Sequence, residues 1–497
     1  MPVRVVNARE SESLDAAAIA SGIPSRALMR TAAFNAATVI CARYPEQLRH
    51  GVTVFTGPGN NGGDGWALAS ALDAVGITVN VREIVAARTP DAEAERAIAS
   101  RMIDAESPLH GVIVDAMLGT GSTGLLRGAI LHAATELQTA RERGAIVVSL
   151  DLPSGVDATL GATEGSVIAD FTICFGSCKR GALVSRAACG EIVVVEIGIC
   201  GQSKELPLLV DASFVRAHTP HIAPDAHKGT RKSVAVVAGG ENMGGAAILA
   251  ATGALRSGAG LVKVVTAPEN ITAVHSCLPE TLVAPLSDAV SAVQDWADAV
   301  VIGPGLGRSD AMTWCVRDVL AKWSGPIVVD ADALNAFDSD VEALGAALST
   351  RPAIITPHPG EMSRLIRRDV RYVLDNRFDV GLEFARSVGA TVLLKGTPTV
   401  ISTPDGRRFV VASGTPVLAT GGSGDALSGM IVTLLAQGCE PGVAAACAAW
   451  VHGDAAELTP GVRGYRLMDV LERFAQAWSP AVPPARYPVL ASLPALT

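Results

Sequence analysis

A chain of 497 residues is too long for one ordinary core, so two or three domains are expected. Hydrophobic residues make up 49% of it, with 50 glycines and only 4% aromatics, a balance that suits tightly packed α/β layers with many backbone turns. The formal charge of −9, spread along the chain, leaves no basic stripe to neutralise phosphates and argues against a nucleic-acid partner.

In chain order, Ser11 to Ala42 is alanine-rich and helix-like, broken near "SGIPS". Apolar runs then recur between helix-like stretches: Val52–Phe55, Val79–Ile84, Val112–Val114, Ile146–Leu150, Phe171–Phe175 and Ile192–Val195. Such runs, continuous rather than alternating, are expected of parallel strands covered on both faces by helices. Arg216 to Ala226 holds Pro220 and Pro224 with no periodicity and reads as a linker. A second series follows: Val234–Val237, Leu261–Val265, Ala299–Ile302, Ile327–Val329, Ala353–Ile355, Thr391–Leu394 and Phe409–Val411. Ala426 to Cys439 is apolar but too short to span a membrane and reads as a buried helix. The proline-rich tail from Ser479 reads as a draped or disordered loop. The expected division is therefore 1–215, linker 216–226, 227–478 and tail 479–497.

Nine cysteines, an odd number lying mostly in apolar runs, favour reduced thiols. Cys174 and Cys178 have no second pair, which argues against structural zinc. With no apolar h-region at the start, the protein is expected to be cytoplasmic, without a membrane partner.

"TGPGNNGGDG", Thr56 to Gly65, follows the first run. Gly57, Gly59 and Gly62 satisfy the dinucleotide pattern G-x-G-x-x-G, and Glu83 closes the next run. Asp64, however, would make a poor cradle for pyrophosphate. Two further corners, "DAMLGTG" after Val114 and "DLPSGVD" after Leu150, also pair a carboxylate with glycines at strand ends, where open parallel sheets bind ligands. Any one corner reads equally as a tight turn with an Asp cap; three together favour a site. Asn61, Asp115 and Ser154 offer hard oxygens that suit a Group I or II cation.

These corners resemble the NAD(P)H-hydrate epimerase domain, YjeF_N, with a Rossmann-like three-layer α/β fold, up to about Leu209. The resemblance implies that hydrated nicotinamide nucleotides, NADHX and NADPHX, contact Asn60, Asn61, Gly62, Gly63 and Asp64. It adds Gly119, Thr120, Gly121, Ser122, Thr123, Gly124, Leu125 and Asp151 to the contacts. It also implies that K⁺ lies on Asn61, Asp115 and Ser154, and that Asp151 is the acid/base inverting C6 of the damaged ring.

In the second half, "TGGSGDALSG", Thr420 to Gly429, is a glycine-rich turn feeding a helix, which presents free amides and a positive dipole end to a phosphate. No lysine follows the glycines as in a Walker A loop, and Asp425 makes better sense as a base than as a cap. "GPGLG" (Gly303–Gly307), "DADALN" (Asp330–Asn335), "TPHPGE" (Thr356–Glu361) and "LLKGTPTVI" (Leu393–Ile401) each follow an apolar run and should gather at one sheet edge. His358, between two prolines, is a better functional candidate than His50 or His132, whereas His218, His221 and His227 read as solvated.

This constellation resembles the ADP-dependent NAD(P)H-hydrate dehydratase domain, YjeF_C, with a ribokinase-like three-layer α/β fold, from His227 to about Trp478. The resemblance implies that Ala246, Gly307, His358 and Asp425 contact the hydrate. It places the adenine nucleotide on Lys395, Gly396, Thr397, Pro398, Thr399 and Gly424, with Mg²⁺ accompanying it. "GGENMGGAA" (Gly239–Ala247) and Arg231-Lys232 depart from the family pattern. The implied protein is a metabolite-repair enzyme whose partners are NADHX, NADPHX and ADP, with a homo-oligomer left open. The alternative is a small-molecule kinase of the hydroxymethylpyrimidine or hydroxyethylthiazole type with a non-catalytic, ligand-binding first domain.

Overall fold

The valine- and isoleucine-rich runs become buried strands in both halves of the chain, where helices cover both faces and no polar alternation is needed. The computed structural model describes residues 2–199, 203–338, 340–480 and 486–496. It divides into two compact units, 1–209 with 483–496, and 210–482.

The sheet of the first unit runs in the order Val489–Leu493, Glu191–Val195, Phe171–Phe175, Ile146–Leu150, Val112–Ala116, Val52–Thr56, Val79–Glu83. All neighbours are parallel except the pair made by Val489–Leu493. Successive residues still point to opposite faces. Val54, Val114 and Val148 pack with Trp66 and Leu68 of the helix Asn60–Ala74, while Phe55, Ile113 and Val147 pack with Leu137 of the helix Gly128–Glu142. From Val52–Thr56 the chain turns outward to Val79–Glu83, then returns to Val112–Ala116 on the other side. The topological switch point therefore lies between the ends that carry Thr56–Asn61 and Asp115–Met117.

The tail departs from its expected loop. Val489–Leu493 is a strand antiparallel to Glu191–Val195, which would otherwise present unpaired backbone at a sheet edge. The tail's prolines do not oppose this, because Pro488 and Pro494 flank the strand rather than interrupt it. The rest of the expected tail, Ala481–Ala485 and Thr497, lies outside the described residues, as does Cys200. The division between units also falls earlier than the proline-marked linker. The helix Ala212–His218 belongs to the second unit, where Phe214 stacks near Phe409 with ring centroids 5.6 Å apart.

The second unit's sheet runs Arg408–Val411, Thr399–Ser402, Thr391–Leu394, Ala353–Ile355, Ile327–Val329, Ala299–Ile302, Ser233–Val237, Leu261–Thr266, Leu282–Pro285. Its switch point lies between Ser233–Val237 and Ala299–Ile302. Arg408–Val411 is antiparallel rather than parallel, as is Thr399–Ser402. The connection Lys395–Pro398 is far too short for a parallel crossover, which needs about a dozen residues. Two helices, Gly244–Arg256 and Ser423–Ala436, approach with backbones nearly touching. A Cβ added to Gly253 would meet the Ala426 carbonyl oxygen at 2.1 Å, and one added to Gly429 would meet that of Ala250 at 1.9 Å. The glycine closing "DALSG" thus seats the helix whose first turn carries Asp425.

Candidate functional sites

At the first switch point, Asp151 leaves its strand with φ +62°. That left-handed conformation costs a non-glycine residue about 1–2 kcal/mol. It is held by the Asp151 N–H donating to Ile173 O at 2.8 Å. Each carboxylate oxygen has its own donor: the Lys179 ammonium on Oδ1 and the Thr120 hydroxyl on Oδ2. Lys179 is only 2% exposed, and its Nζ also donates to Phe175 O at 3.0 Å and Ser177 O at 3.4 Å. Burial pulls the ammonium's pKa down more than any one neighbour raises it, but the charge and hydrogen bond of Asp151 together with Cys174 and Asp15 make the net shift upward, so Lys179 stays charged. Asp64, on the second turn of its helix, is pushed well above the usual carboxylate range by burial, with Asp151 and Asp15 adding repulsion.

The expected cation ligands also meet here. Asp115 Oδ1 accepts from the Ser154 hydroxyl at 2.6 Å, and Oδ2 accepts from the Ser154 N–H at 2.7 Å and the Ser149 hydroxyl at 3.2 Å. Burial raises the Asp115 carboxyl, and these donors oppose the rise. The Ser154 hydroxyl oxygen accepts from Leu118 N–H at 3.0 Å, and the Asn61 amide donates to Leu118 O at 2.9 Å. Asn61 Oδ1 is left buried with no partner among the described residues, as is Thr56 Oγ1. An orphaned buried carbonyl oxygen beside a carboxylate and a hydroxyl fits a hard monovalent cation. The loop Gly119–Leu125 is half-buried at Thr120 and Ser122, and exposed at Gly121, Thr123, Gly124 and Leu125.

The glycines of "TGPGNNGGDG" have a different use from the one expected. A Cβ at Gly57 would meet Met117 O at 1.8 Å, at Gly62 the Gly57 carbonyl oxygen at 2.0 Å, and at Gly63 the Met29 methyl at 2.5 Å. The loop is glycine-rich so that corners can close on one another. No side chain caps the helix Asn60–Ala74, so the amides of Asn60, Asn61 and Gly62 remain available to an anion. The dinucleotide reading loses its acid: Glu83 is bound by Arg96 at 2.7 Å, which holds its carboxyl below the ordinary range.

At the second switch point, a chain of contacts joins the segments expected to converge. Gly307 N–H donates to Asp332 Oδ2 at 2.8 Å, and a Cβ at Gly305 would meet that of Ala246 at 2.7 Å. Asp330 is fully buried; its Oδ1 accepts from Lys395 Nζ at 2.9 Å, while its Oδ2 has no partner among the described residues. Lys395 lies 3.9 Å from Glu361, and a Cβ at Gly424 would come within 3.2 Å of its Nζ. Burial pulls Lys395 down, and Asp330 and Glu361 more than restore it. Asp425 is pushed up to about 7, first by burial and then by the charge of Asp330.

His358 is placed as a cap. Its Nδ1 accepts from Gly360 N–H at 3.0 Å and Glu361 N–H at 3.3 Å, and burial lowers its pKa. An acceptor Nδ1 puts the remaining proton of the neutral ring on Nε2, 3.3 Å from Glu361 Oε1. Gly396, Thr397, Pro398 and Thr399 form the tight turn after Leu394, closed by the Thr399 hydroxyl donating to Gly396 O at 3.0 Å. The helix Ser423–Ala436 starts at Gly422 with φ +90° and no side-chain cap, leaving its first amides for a phosphate.

Sequence reasoning missed Lys179 and the buried His452, whose Nε2 lies 3.5 Å from Ser423 Oγ and which burial lowers to about 4. "GSCKRG" carries no motif, and beside Arg180 nothing in it marks Lys179 as a buried charge. The linker histidines 218, 221 and 227 are exposed, as read. No helix among the described residues is long and apolar enough to cross a membrane.

Two family profiles match the chain: "YjeF-related protein N-terminus" over residues 25–181 and "NAD(P)H-hydrate dehydratase" over 234–475. A relative from Moorella thermoacetica, named bifunctional NAD(P)H-hydrate repair enzyme, is 34% identical across 93% of this chain and 94% of its own length. One of the same name from Escherichia coli is 33% identical across 93% of this chain and 91% of its own. Among solved structures, an ADP/ATP-dependent NAD(P)H-hydrate dehydratase from Bacillus subtilis, co-crystallised with ATP and Mg²⁺, is 31% identical. It covers 53% of this chain and 95% of its own, with a TM-score of 0.48.

Proposed function

The chain belongs to the bifunctional NAD(P)H-hydrate repair enzymes, and we propose that its two switch-point sites divide that repair between them. The first domain interconverts the R and S hydrates of NADH and NADPH at Asp151. The second dehydrates the S hydrate with ADP at Asp425. The observation that carries this reading is a carboxylate beside each switch point, each set in the field of a lysine, on separate sheets. Relatives matched over nine-tenths or more of their own length and named bifunctional repair enzymes support it over a lone kinase with a non-catalytic first domain.

In the first site C6 of the substrate bears both a hydroxyl and the ring nitrogen. Ionised Asp151 takes the hydroxyl proton; the C6–N bond then opens to an aldehyde, its electron pair passing to nitrogen. Re-closure on the other face returns the proton to oxygen, so nothing is consumed. Asn61, Asp115 and Ser154 would hold K⁺, which supplies fixed positive charge beside the substrate. The amides of Asn60 to Gly62 and the loop Gly119–Leu125 would hold the nucleotide.

In the second site hydroxide is a poor leaving group. Asp425 takes the C6 hydroxyl proton as the β-phosphoryl group of ADP transfers to oxygen, releasing AMP. The ring nitrogen then expels phosphate to leave a C6=N iminium, and C5 gives up a proton to the departing phosphate or solvent, so that the C5–C6 double bond of the reduced cofactor forms. The helix amides from Ser423 steady the phosphoryl group, and Lys395 to Thr399 with Gly424 hold the nucleotide. Mg²⁺ would arrive on the nucleotide's phosphates and supply charge to the transferring phosphoryl group.

Incubation with mixed hydrates, with and without ADP and with K⁺ exchanged for a bulky organic cation, tests the whole reading. ADP should drive loss of the S form, followed by the R form at the pace of epimerisation. Removing K⁺ should slow only the R form. Accumulation of a stable phosphorylated product would return the kinase reading.

A further inference from the structure

Lys179 is the one buried cation in contact with the first site's carboxylate among the described residues, and nothing above gives it a task in the reaction. Burying an ammonium costs several kcal/mol unless partners repay it, so its placement calls for a reason. Its partners are Asp151 Oδ1 and the carbonyls of Phe175 and Ser177. They use the three donors of an ammonium and aim one of them at the carboxylate. The other oxygen, Oδ2, accepts from the hydroxyl of Thr120, which lies on the loop Gly119–Leu125. A substrate hydroxyl meeting Asp151 from that loop would use the acceptor that the Thr120 hydroxyl now takes.

We propose that Lys179 is a positioning residue for epimerisation: it claims Oδ1 of Asp151, fixes the carboxylate's rotation and leaves Oδ2 as the oxygen that exchanges a proton with the substrate hydroxyl. The inference rests on the reading of Asp151 as the acid/base. It also assigns the charge balance of the site. Asp15 from the helix Ala8–Ala20, Asp64 from the helix Asn60–Ala74, and Cys174 and Cys178 beside the strand end all face this pair electrostatically. The carboxylate is also contacted by the Thr120 hydroxyl on Oδ2 and by the Phe175 N–H on Oδ1 at 3.4 Å, but only Lys179 brings a full opposite charge to it. A contacting opposite charge favours a carboxylate's ionised form, so a pH profile reads whether the ammonium acts on the base.

The test is Lys179→Met in the full chain, with ADP-dependent loss of the S hydrate in the second domain and a thermal melt as controls for folding. Chromatographic separation of the epimers should give an epimerisation kcat lower by about a hundredfold, the scale of a misplaced catalytic group, with KM changed far less. The rising limb of the pH profile should move upward by about 1–3 units, the effect of losing a contacting opposite charge. Lys179→Arg, which keeps the cation, should bring the limb back. A folded Lys179→Met protein with an unmoved limb would overturn the proposal, because a merely structural lysine lowers the amount of active enzyme without changing its titration. Should the Met variant fail to fold, Lys179→Gln, which retains polar contacts with Phe175 and Ser177, is read in the same way. Asp151→Asn separates the two layers. If it still epimerises, the acid/base reading fails; if it is inactive while Lys179→Met titrates like the parent, only the positioning role fails.

Discussion

As the proposed base, Asp425 would have to be ionised to accept a proton, yet burial and the neighbouring charge of Asp330 raise it to about 7. Its ionised fraction therefore grows as pH rises through neutrality. The kcat/KM for dehydration, which reports the free enzyme, should climb through a limb near 7 and level above it. Asp330→Asn removes a negative charge and releases Lys395, and both changes favour ionised Asp425. The limb should then move to lower pH, and an unmoved limb would show that another group controls it. The places of Asp151 and Asp425 at a strand end and a helix start were legible in the sequence because each follows an apolar run or a glycine-rich turn. Lys179 and Asp330 were less legible because their meaning is relational. A lysine in a polar turn such as "GSCKRG" looks solvent-exposed until the carboxylate that offsets its burial is in place.

At the scale of elements, the glycines serve close packing that their pattern alone does not reveal. Those of the first loop were expected to admit a ligand; Gly57 and Gly62 instead admit neighbouring backbone. Gly429 behaves in the same way between helices. In an exposed helix, Gly→Ala gains about 1 kcal/mol from propensity. Here the new methyl would stand 1.9 Å from the Ala250 carbonyl oxygen, so the helices must part, and overpacking of this kind costs about 1–3 kcal/mol or more. Gly429→Ala should therefore lower the melting temperature of the second unit and its dehydration rate, while epimerisation continues. A stabilised protein would mean that the helices yield freely. The parallel strands were readable because continuous apolar runs have few other homes. Leu282–Pro285, which ends in proline, and Thr399–Ser402, directly after a tight turn, were not, since each is short and lacks the run that marks a buried strand.

The whole molecule adds a dependence that neither half of the sequence announces: the C-terminal segment belongs to the N-terminal unit. Val489–Leu493 pairs with Glu191–Val195, the Glu196 N–H donates to Pro488 O at 3.0 Å, and Leu493 is 9% exposed. The division expected at the linker 216–226 treats residues 1–215 as a self-sufficient domain. With this topology the fragment 1–215 would lack its edge strand and expose the backbone of Glu191–Val195 to self-association. Ending the chain after Trp478 is the cleaner test, because it removes only the tail. Losing a short ladder and its apolar contacts would cost about 2 kcal/mol. For a unit of this size that is a drop of roughly 4–8 °C in Tm. Epimerase activity should fade at the lower temperature while ADP-dependent dehydration, which uses none of these residues, persists to its former limit. A synthetic peptide covering 486–497, added in trans, should recover part of the lost Tm through the same backbone pairing. A truncated protein whose epimerase melts at the parent temperature would show that the strand contributes nothing, and the N-terminal unit would then stand alone after all.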